Sequence, residues 1–309
     1  MKHYLGIDVG SISTNFALID EQQNILDTLY LRTDGNPIKA IQTGLRKIRQ
    51  FEISGVGTTG SARKLAGIIA GADIIKTEII SHAVASQSFV PEVKTILEIG
   101  GQDSKIIILR NDVVVDFAMN TICAAGCGAF LDHQANRLGI PIQEFGEIAL
   151  KSCHGATIAG RCTVFAESDM IHKQQVGYQR EDIIRGLCEA IVRNYLNNVG
   201  KGKEILPPVV FQGGVAANVG VRKAFETELG CEVIVPEHFP VMGAIGSAIL
   251  ALEADSGKTN FKGFDISDII FLTKSFICRD CPNLCEIVVI EENGSIAARW
   301  GSRCGKRNV

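Results

Sequence analysis

The sequence lacks the features of a membrane protein and those of a nucleic-acid-binding protein. No uninterrupted apolar run among its 309 residues approaches the roughly 18 residues that a membrane-spanning helix needs. Its 31 Lys and Arg residues are outnumbered by 34 Asp and Glu residues, so no excess of positive charge favours nucleic acid. The first residues, MKHYLGIDVG, also lack the apolar segment of a signal peptide. We therefore expect a cytoplasmic protein that binds neither membranes nor nucleic acids.

Cysteine and glycine, by contrast, are plentiful. The chain has ten cysteines, and the reducing cytosol disfavours disulfides as their use. Its 32 glycines exceed the average share of ~7%, and they concentrate in short turns where backbone can approach a ligand. With 46% hydrophobic residues, the chain is long enough to form two domains with proper cores. The spacing of cysteines and glycines therefore carries most of the functional information.

An internal repeat organises the first part of the chain. The segment YLGIDVGSISTNFALID begins at Tyr4, and TILEIGGQDSKIIILRND begins at Thr95. Aligning Gly10 with Gly100 also aligns Asp8 with Glu98. Each copy predicts a hairpin whose tight turn follows a carboxylate and exposes backbone N–H groups. Taken alone, either copy is equally compatible with an ordinary hairpin.

Strands and helices alternate through the rest of the chain, which predicts a layered α/β fold. Apolar spacing indicates helices near residues 38–48, 77–89, 128–137, 142–151, 180–200 and 241–254. We predict one lobe over about residues 1–90, a second over about 91–254, a connector over 255–275, and a Cys-rich tail over 276–309.

Three glycine turns stand in order: DVGSIST, EIGGQDSK and FQGGVAANVG. This order resembles the actin, Hsp70 and sugar-kinase superfamily, whose two lobes are duplicated ribonuclease-H-like units. The resemblance implies that the first two turns clasp ATP phosphates and that the third holds adenosine. The implied nucleotide-binding residues are Gly10, Ser11, Ser13, Thr14, Gly100, Gly101, Gln102, Gly213, Gly214, Val215 and Asn218. Tight turns with exposed N–H groups suit such anions.

The same resemblance implies a magnesium site and catalytic residues. Asp8 and Glu98 would hold a hydrated Mg²⁺ through oxygen, although Asp is the more usual residue at the second position. Asp8 is then also catalytic, and Gln102 or Asp103 would orient the attacking water. The hydroxyl groups of the first turn could instead cap backbone groups.

Four further segments sharpen the resemblance: NTICAAGCGAFLD, RCTVFAESDMI, GGVAANVGVRKA and MGAIGSA. Together they resemble the ATPase activators of 2-hydroxyacyl-CoA dehydratases and the related ATP-hydrolysing subunits of benzoyl-CoA reductases, over about residues 2–253. That family implies a homodimer in which each subunit gives two cysteines to one [4Fe–4S] cluster. The matching residues here are Cys123 and Cys162. Without the family, both could be inert buried thiols.

The implied function is ATP-dependent electron transfer. A reduced ferredoxin or flavodoxin would load the cluster, and ATP binding would pass the electron to a dehydratase or reductase that acts on an acyl-CoA. Two other functions fit the nucleotide turns. One is a small-molecule kinase of the sugar-kinase superfold, and the other is a nucleotide-gated assembly factor or chaperone.

The remaining cysteines and one histidine receive separate interpretations. Cys127 stands where the family would have a hydroxyl residue, and we favour a packed thiol over a spare ligand. The others outside the tail, Cys153, Cys188 and Cys231, are interpreted as core or incidental. His82 is interpreted as a core or hydrogen-bonding residue rather than a catalytic one.

The tail carries a complete four-thiolate set of its own. Cys278, Cys281, Cys285 and Cys304 are separated by two, three and eighteen residues. The segment between the last two predicts a hairpin with ENGS as its turn. A unit this small needs a staple, and four cysteines suit either structural zinc or a second iron–sulfur cluster. A tail without metal is the third alternative.

Overall fold

The structure is a computed structural model that describes residues 2–120, 126–160 and 162–308. The predicted cluster ligand Cys123 lies outside these residues. No helix in the described part of the chain is both long and apolar enough to cross a membrane.

The first lobe is a mixed five-stranded sheet with helices on both faces. Its strand order is β3-β2-β1-β4-β5; β1, β2 and β3 are antiparallel, and β4 and β5 run parallel to β1. The elements are β1 (His3–Val9), β2 (Ser13–Asp20), β3 (Ile25–Arg32), α1 (Pro37–Lys47), β4 (Ile53–Thr59), α2 (Arg63–Ala70), β5 (Ile74–Ile75) and α3 (Glu78–Phe89).

The second lobe repeats this topology. Its sheet has the order β10-β9-β6-β7-β8, with β6, β7 and β8 antiparallel and β9 parallel to β6. The elements are β6 (Thr95–Ile99), β7 (Ser104–Arg110), β8 (Val113–Asn120), α4 (Gly128–Leu138), α5 (Ile142–Leu150), α6 (Thr163–Gln175), α7 (Arg180–Asn198), β9 (Val209–Gln212), α8 (Val219–Leu229) and β10 (Val233–Ile234). Strands β1 and β6 occupy equivalent central positions, as the sequence repeat predicts.

The last helix of the nucleotide-binding region corrects the predicted lobe boundary. Helix α9 (Met242–Glu253) packs on the sheet of the first lobe, where its apolar residues join Tyr4, Ala17 and Ile19 in one core. The second lobe therefore ends before Met242 rather than at residue 254. Sequence reasoning missed this return because an apolar helix does not indicate which sheet it covers.

Two facing glycines let α9 lie directly on that sheet. Gly6 and Gly57 are paired neighbours on the parallel strands β1 and β4. A Cβ at Gly57 would overlap the Ser247 carbonyl oxygen, and one at Gly6 would overlap the Ala244 carbonyl oxygen. A Cβ at Gly246 of α9 would likewise overlap the backbone of Ser81 on α3. Glycine at these positions therefore sets the position of α9 on the sheet and of α3 on α9.

The predicted connector and tail form one unit that packs on the first lobe. The unit is a three-stranded antiparallel sheet of β11 (Phe271–Ile277), β12 (Glu286–Glu292) and β13 (Ser295–Trp300). The predicted ENGS hairpin is confirmed, with Asn293 and Gly294 at positive φ. Phe271 and Ile290 join the core of the first lobe.

The predicted connector over 255–275 is packed against the first lobe, and its predicted end falls inside a strand. Strand β11 begins inside it, and Gln42 of α1 donates hydrogen bonds to the carbonyls of Ile266 and Ile269, at 3.1 and 2.7 Å. These contacts fix the segment to the outer side of the first lobe.

We predict that Gly57→Ala destabilises the protein by ~1–3 kcal/mol or more, because neither the strand nor the helix backbone can move away from the added methyl group. Urea unfolding followed by circular dichroism measures the change. The matched control is Gly214→Ala, where an added Cβ meets nothing within 4 Å. Equal stability of the two variants would contradict the close packing of α9.

Candidate functional site

A cleft of about 470 Å³ lies between the two lobes and gathers most of the predicted site residues. Those that line it are Asp8, Gly10, Ser11, Ser13, Glu98, Gly100, Gly101, Gln102, Asp103, Gly213, Gly214, Val215 and Asn218. All three glycine turns thus face one space, which local sequence patterns alone could not establish.

Hydrogen bonds close the first turn, and the side chain of Thr14 is buried outside the cleft. Gly10 N–H donates to the Ser13 carbonyl at 2.9 Å, and Thr33 Oγ1 donates to the Gly10 carbonyl at 3.0 Å. The hydroxyl of Thr14 is fully buried and lies 3.0 Å from that of Thr33. Thr14 therefore pairs with another side chain instead of capping a backbone group, and its burial away from the cleft argues against its prediction as a direct nucleotide ligand. The hydroxyl groups of Ser11 and Ser13 remain at the cleft.

The second turn is joined to the start of α4. Gly100 N–H donates to the Asp103 carbonyl at 3.0 Å. In the other direction, the carbonyls of Gly100 and Gly101 accept from the N–H groups of Gly128 and Ala129, at 2.8 and 2.9 Å. These are N–H groups at the first turn of α4, which an isolated helix would leave without partners. Backbone hydrogen bonds therefore join the second glycine turn directly to the N-terminus of α4.

A buried lysine between two carboxylates was missed by the sequence analysis. Lys105 Nζ lies 3.0 Å from Glu98 Oε2 and 3.0 Å from Asp103 Oδ2. Burial alone would lower the pKa of Lys105, but the attraction of both carboxylates outweighs it and holds that pKa above its ordinary value. Lys105 is thus a cation at the floor of the cleft. The available signal was one charged residue inside the apolar strand SKIIILR.

The two predicted magnesium ligands differ in their surroundings. Burial raises the pKa of Glu98 to about 7, against the opposing effect of Lys105. Desolvation likewise raises the pKa of Asp8 to about 6, with Lys105 opposing and Glu78 adding to the rise. Among the described residues the Asp8 carboxylate has no hydrogen-bond or ion-pair partner. A hydrated cation would supply the missing compensation for both groups.

Glycines wall both carboxylates and leave the space that such a cation needs. A Cβ at Gly60 or at Gly243 would overlap an oxygen of Asp8. Gly213 has a φ of 86°, and a Cβ there would lie 2.7 Å from Glu98 Oε1. Two buried polar atoms of neighbouring strands, Asn15 Oδ1 and Gln212 Nε2, have no partner in the part of the chain that the structure describes. Oxygen ligands and unpaired polar groups together fit a hydrated Mg²⁺.

The third turn lines the cleft beside Glu98. Gly213 N–H donates to the Phe239 carbonyl at 3.1 Å, and a short 3-10 turn follows over Gly214–Ala217. The side chain of Asn218 caps α8 by accepting from Val221 N–H at 3.0 Å. Ile142, Gln143, Phe239 and Pro240 line the same end. This mixture of apolar surface and a few polar groups suits a nucleoside.

Helix α3 contributes further residues that sequence reasoning did not assign to the site. Glu78 lines the cleft and pairs with Arg63 of α2 at 3.3 Å. His82 also lines the cleft and is only 7% exposed. One turn later, Ser86 Oγ donates to Gln212 Oε1 of the other lobe at 3.1 Å. Their i, i+4 spacing was visible in the sequence, but the surface they face was not.

The helices that follow the two cysteine motifs each begin at a cysteine. Cys127 is the N-cap of α4 and Cys162 is the N-cap of α6. Cys127 is buried, as predicted for a packed thiol, whereas Cys162 is half-buried. The two helices are tied by an ion pair between Arg137 of α4 and Glu167 of α6.

The first turn of α6 presents apolar side chains to solvent. Val164 is 68% exposed and Phe165 is 64% exposed, directly after Cys162. Exposed large apolar residues beside a functional group are typical of interaction surfaces.

The other cysteines are dispersed. Cys188 is buried, Cys231 is half-buried and Cys153 is exposed, in agreement with a core or incidental role. Among residues 2–120, 126–160 and 162–308, no three His, Cys, Asp or Glu side chains are arranged to hold a metal ion.

The tail cysteines share one end of their sheet but do not form a common coordination sphere there. Cys278 N–H donates to the Cys285 carbonyl at 2.8 Å, which closes the loop that carries three of them. Cys304 lies on the segment after β13, and Arg307 of that segment pairs with Asp280 of the loop at 2.8 Å. The tail metal stays a prediction.

Similar proteins cover the two lobes. The chain is 35% identical over 257 residues to the (R)-2-hydroxyglutaryl-CoA dehydratase activating ATPase of Acidaminococcus fermentans, a match that spans 80% of this chain and 96% of the relative. Its structure is similar to that of the activator of the 2-hydroxyisocaproyl-CoA dehydratase from Clostridium difficile with bound ADPNP. That similarity has a TM-score of 0.73 at 31% identity, over 82% of this chain and 95% of that chain.

A more distant similarity concerns the fold alone. The xyloylose kinase from Brucella ovis matches with a TM-score of 0.52 at 11% identity, over 86% of this chain and 92% of that chain. The predicted two-lobed fold of the actin, Hsp70 and sugar-kinase type is confirmed. Residues 5–251 match the BadF/BadG/BcrA/BcrD ATPase family, so the chain belongs to this family of ATPases.

Proposed function

We propose that this ATPase is an activator that uses ATP to pass a low-potential electron to a partner enzyme. The partner is a 2-hydroxyacyl-CoA dehydratase or a related acyl-CoA reductase, and a reduced ferredoxin or flavodoxin supplies the electron. The proposal is supported by the similarity to dehydratase activators over about four-fifths of the chain.

One observation carries the proposal. Cys162 is half-buried at the N-cap of α6, and the apolar side chains of Val164 and Phe165 beside it are exposed. A thiol that served only the core would be buried among those side chains. An exposed apolar rim around a reachable thiol instead suits a second copy of the chain, which would cover Val164 and Phe165.

In such a homodimer Cys123 and Cys162 of each subunit complete four thiolates, the usual ligand set of a [4Fe–4S] cluster. Cys162 is the N-cap of α6, so the positive end of the helix dipole lies beside the site that an anionic cluster would occupy. When bound, the cluster supplies one-electron chemistry at the dimer axis. The chain's own residues would position it and control access to it.

The cleft residues perform the nucleotide chemistry. Ser11, Ser13 and the N–H groups of the first two turns bind phosphate oxygens. Asp8 and Glu98 hold hydrated Mg²⁺, and Lys105 limits the repulsion between these carboxylates and the nucleotide. Gln102 or Asp103 orients the attacking water.

Nucleotide binding reaches the cysteines through backbone hydrogen bonds. A shift of the second phosphate turn moves the start of α4 through Gly128 and Ala129, and the Arg137–Glu167 pair carries the shift to α6. Moving a two-state dimer from 1:99 to 99:1 needs about 5.5 kcal/mol of differential binding, which two bound nucleotides can provide.

The tail adds a second metal site to the proposal. Its four cysteines would bind zinc or a second iron–sulfur cluster, with the thiols drawn together on binding. Support comes from the closed loop that carries Cys278, Cys281 and Cys285 and from the Arg307–Asp280 pair, which holds the Cys304 segment against this loop.

We predict that Asp8→Asn lowers the ATP hydrolysis rate by roughly 100-fold or more, because a carboxylate that holds the Mg²⁺ acting on the reacting phosphate is lost. The brown colour of the cluster should remain. The matched control is Asp34→Asn, since Asp34 is an exposed loop residue whose positive φ suits asparagine. Normal turnover of Asp8→Asn would contradict its role.

We predict that Cys162→Ser removes the intersubunit iron and sulfide while ATP affinity stays within about twofold of wild type. Iron and sulfide analysis of anaerobically purified protein measures the loss. Cys153→Ser is the control, since Cys153 is exposed and has no assigned role. Iron content equal to that of the control would refute the shared cluster.

We predict that the double variant Cys281→Ser/Cys285→Ser loses one metal centre per chain and keeps the cluster assigned to Cys162. Zinc, iron and sulfide are measured together in the full chain, so zinc loss and iron–sulfide loss distinguish the two possible centres. Unchanged content of all three elements would exclude a tail metal.

A further inference from the structure

His82 is a polar residue that the fold buries at the cleft without satisfying it. It lies on α3 and is only 7% exposed, yet its ring lines the nucleotide cleft. Its Nδ1 atom is fully buried and has no hydrogen-bond partner anywhere in residues 2–120, 126–160 and 162–308. Buried polar groups in folded proteins nearly always have partners, so an exception calls for a functional explanation.

The backbone around His82 places its ring beside Asp8. A Cβ at Gly243 of α9 would overlap an Asp8 oxygen and would also lie 3.4 Å from His82 Cε1. Only glycine therefore lets the carboxylate and the imidazole share this corner. Helix α3 lies directly on α9 at this point, since the backbone of Ser81 is packed on Gly246 of α9.

One turn further along the same face of α3, the helix reaches the second lobe. Ser86, four residues after His82, donates to Gln212 Oε1, and Gln212 is the β9 partner of Glu98 in the parallel pair β6–β9. The His82 ring therefore lies on a helix that contacts the strand beside Glu98, and both His82 and Glu98 line the cleft.

The surroundings of the His82 ring favour one tautomer of its neutral form. A neutral imidazole carries one proton, and a buried N–H without an acceptor is rarer than a buried acceptor without a donor. Because Nδ1 has no acceptor, the proton belongs on Nε2. The ring thus offers an uncharged N–H to the cleft.

We propose that His82 Nε2–H donates a hydrogen bond to the terminal phosphate of a nucleoside triphosphate bound in this cleft. In the proposed pose the third turn holds the adenosine and the first two turns bind the phosphates, so the terminal phosphate lies near Asp8, which closely precedes the first turn, and near His82, which lines the same cleft. A neutral donor suits this position, since Lys105 already supplies the cation there. The inference rests on nucleotide binding in the cleft and is independent of any iron–sulfur cluster.

The test compares ligands with and without the terminal phosphate. The Mg²⁺ complexes of ADP and of a non-hydrolysable ATP analogue are titrated calorimetrically into the full-length protein. We expect His82→Leu to weaken binding of the analogue by roughly 10- to 100-fold, the range for a hydrogen bond to a charged group, and to leave ADP binding within about twofold. Equal weakening of both ligands, or of neither, would overturn the proposal.

Two amide variants identify the nitrogen. The amide nitrogen of glutamine reaches the position of Nε2, whereas that of asparagine reaches the position of Nδ1. We therefore expect His82→Gln to retain most of the analogue affinity and His82→Asn to lose it. Loss in both variants, or retention in both, would contradict donation from Nε2.

Thermal unfolding separates this role from a structural one. Replacing an unsatisfied buried polar group by an apolar one is neutral or stabilising. We expect His82→Leu to melt at or above the temperature of the wild type while its analogue affinity falls. A lower melting temperature with unchanged preference for the analogue over ADP would make His82 a core residue only. If the wild-type protein bound neither ADP nor the analogue, the assignment of the cleft as a nucleotide site would itself be refuted.

Discussion

The close approach of α9 to β1 and β4 is the contact on which the rest of the site depends. Gly6 and Gly57 allow the helix backbone to rest on the sheet, and α9 in turn fixes α3 through Gly246. One residue of α9, Gly243, then touches both Asp8 and His82. The close packing that these glycines allow thus brings α9, Asp8 and His82 together at one corner of the cleft.

The charges that line the cleft explain why the side chains at this corner are held by close packing. Several acidic groups face a space that receives a polyanion, and one buried cation, Lys105, bridges two of them. Desolvation raises the pKa of Asp8 and of Glu98, so both carboxylates are poorly compensated by the protein alone. The cleft therefore favours the binding of a cation, and a hydrated divalent cation that arrives with the nucleotide would compensate the two carboxylates.

Backbone hydrogen bonds join the second glycine turn to α4, and a side-chain ion pair joins α4 to α6. The carbonyls of Gly100 and Gly101 satisfy the first N–H groups of α4, which begins at Cys127. Such hydrogen bonds have little freedom to lengthen, because the N–H groups are otherwise without partners. The Arg137–Glu167 pair extends the connection to α6. In the proposed function, this connection would let the second glycine turn act on a cluster bound at the starts of these helices.

The sequence by itself determined the features that are local. Alternating apolar residues predict the strands, helical spacing predicts most of the helices, and glycine turns after a carboxylate predict the anion-binding loops. The repeat around Gly10 and Gly100 even predicts that two lobes share one topology, because the same local pattern folds in the same way twice. The motifs with Cys123 and Cys162 predict the family for the same reason.

Tertiary structure alone decided what depends on contacts between distant segments. Nothing in the apolar helix α9 indicates that it returns to the first lobe, and nothing in the residues 255–275 indicates that they pack on α1. The roles of Lys105 and His82 follow from their neighbours: Lys105 forms its ion pairs only once β6 and β7 are aligned, and His82 meets Asp8 only across Gly243. Sequence patterns record which face of an element is apolar, but burial and charge pairing are set by what folds against that face.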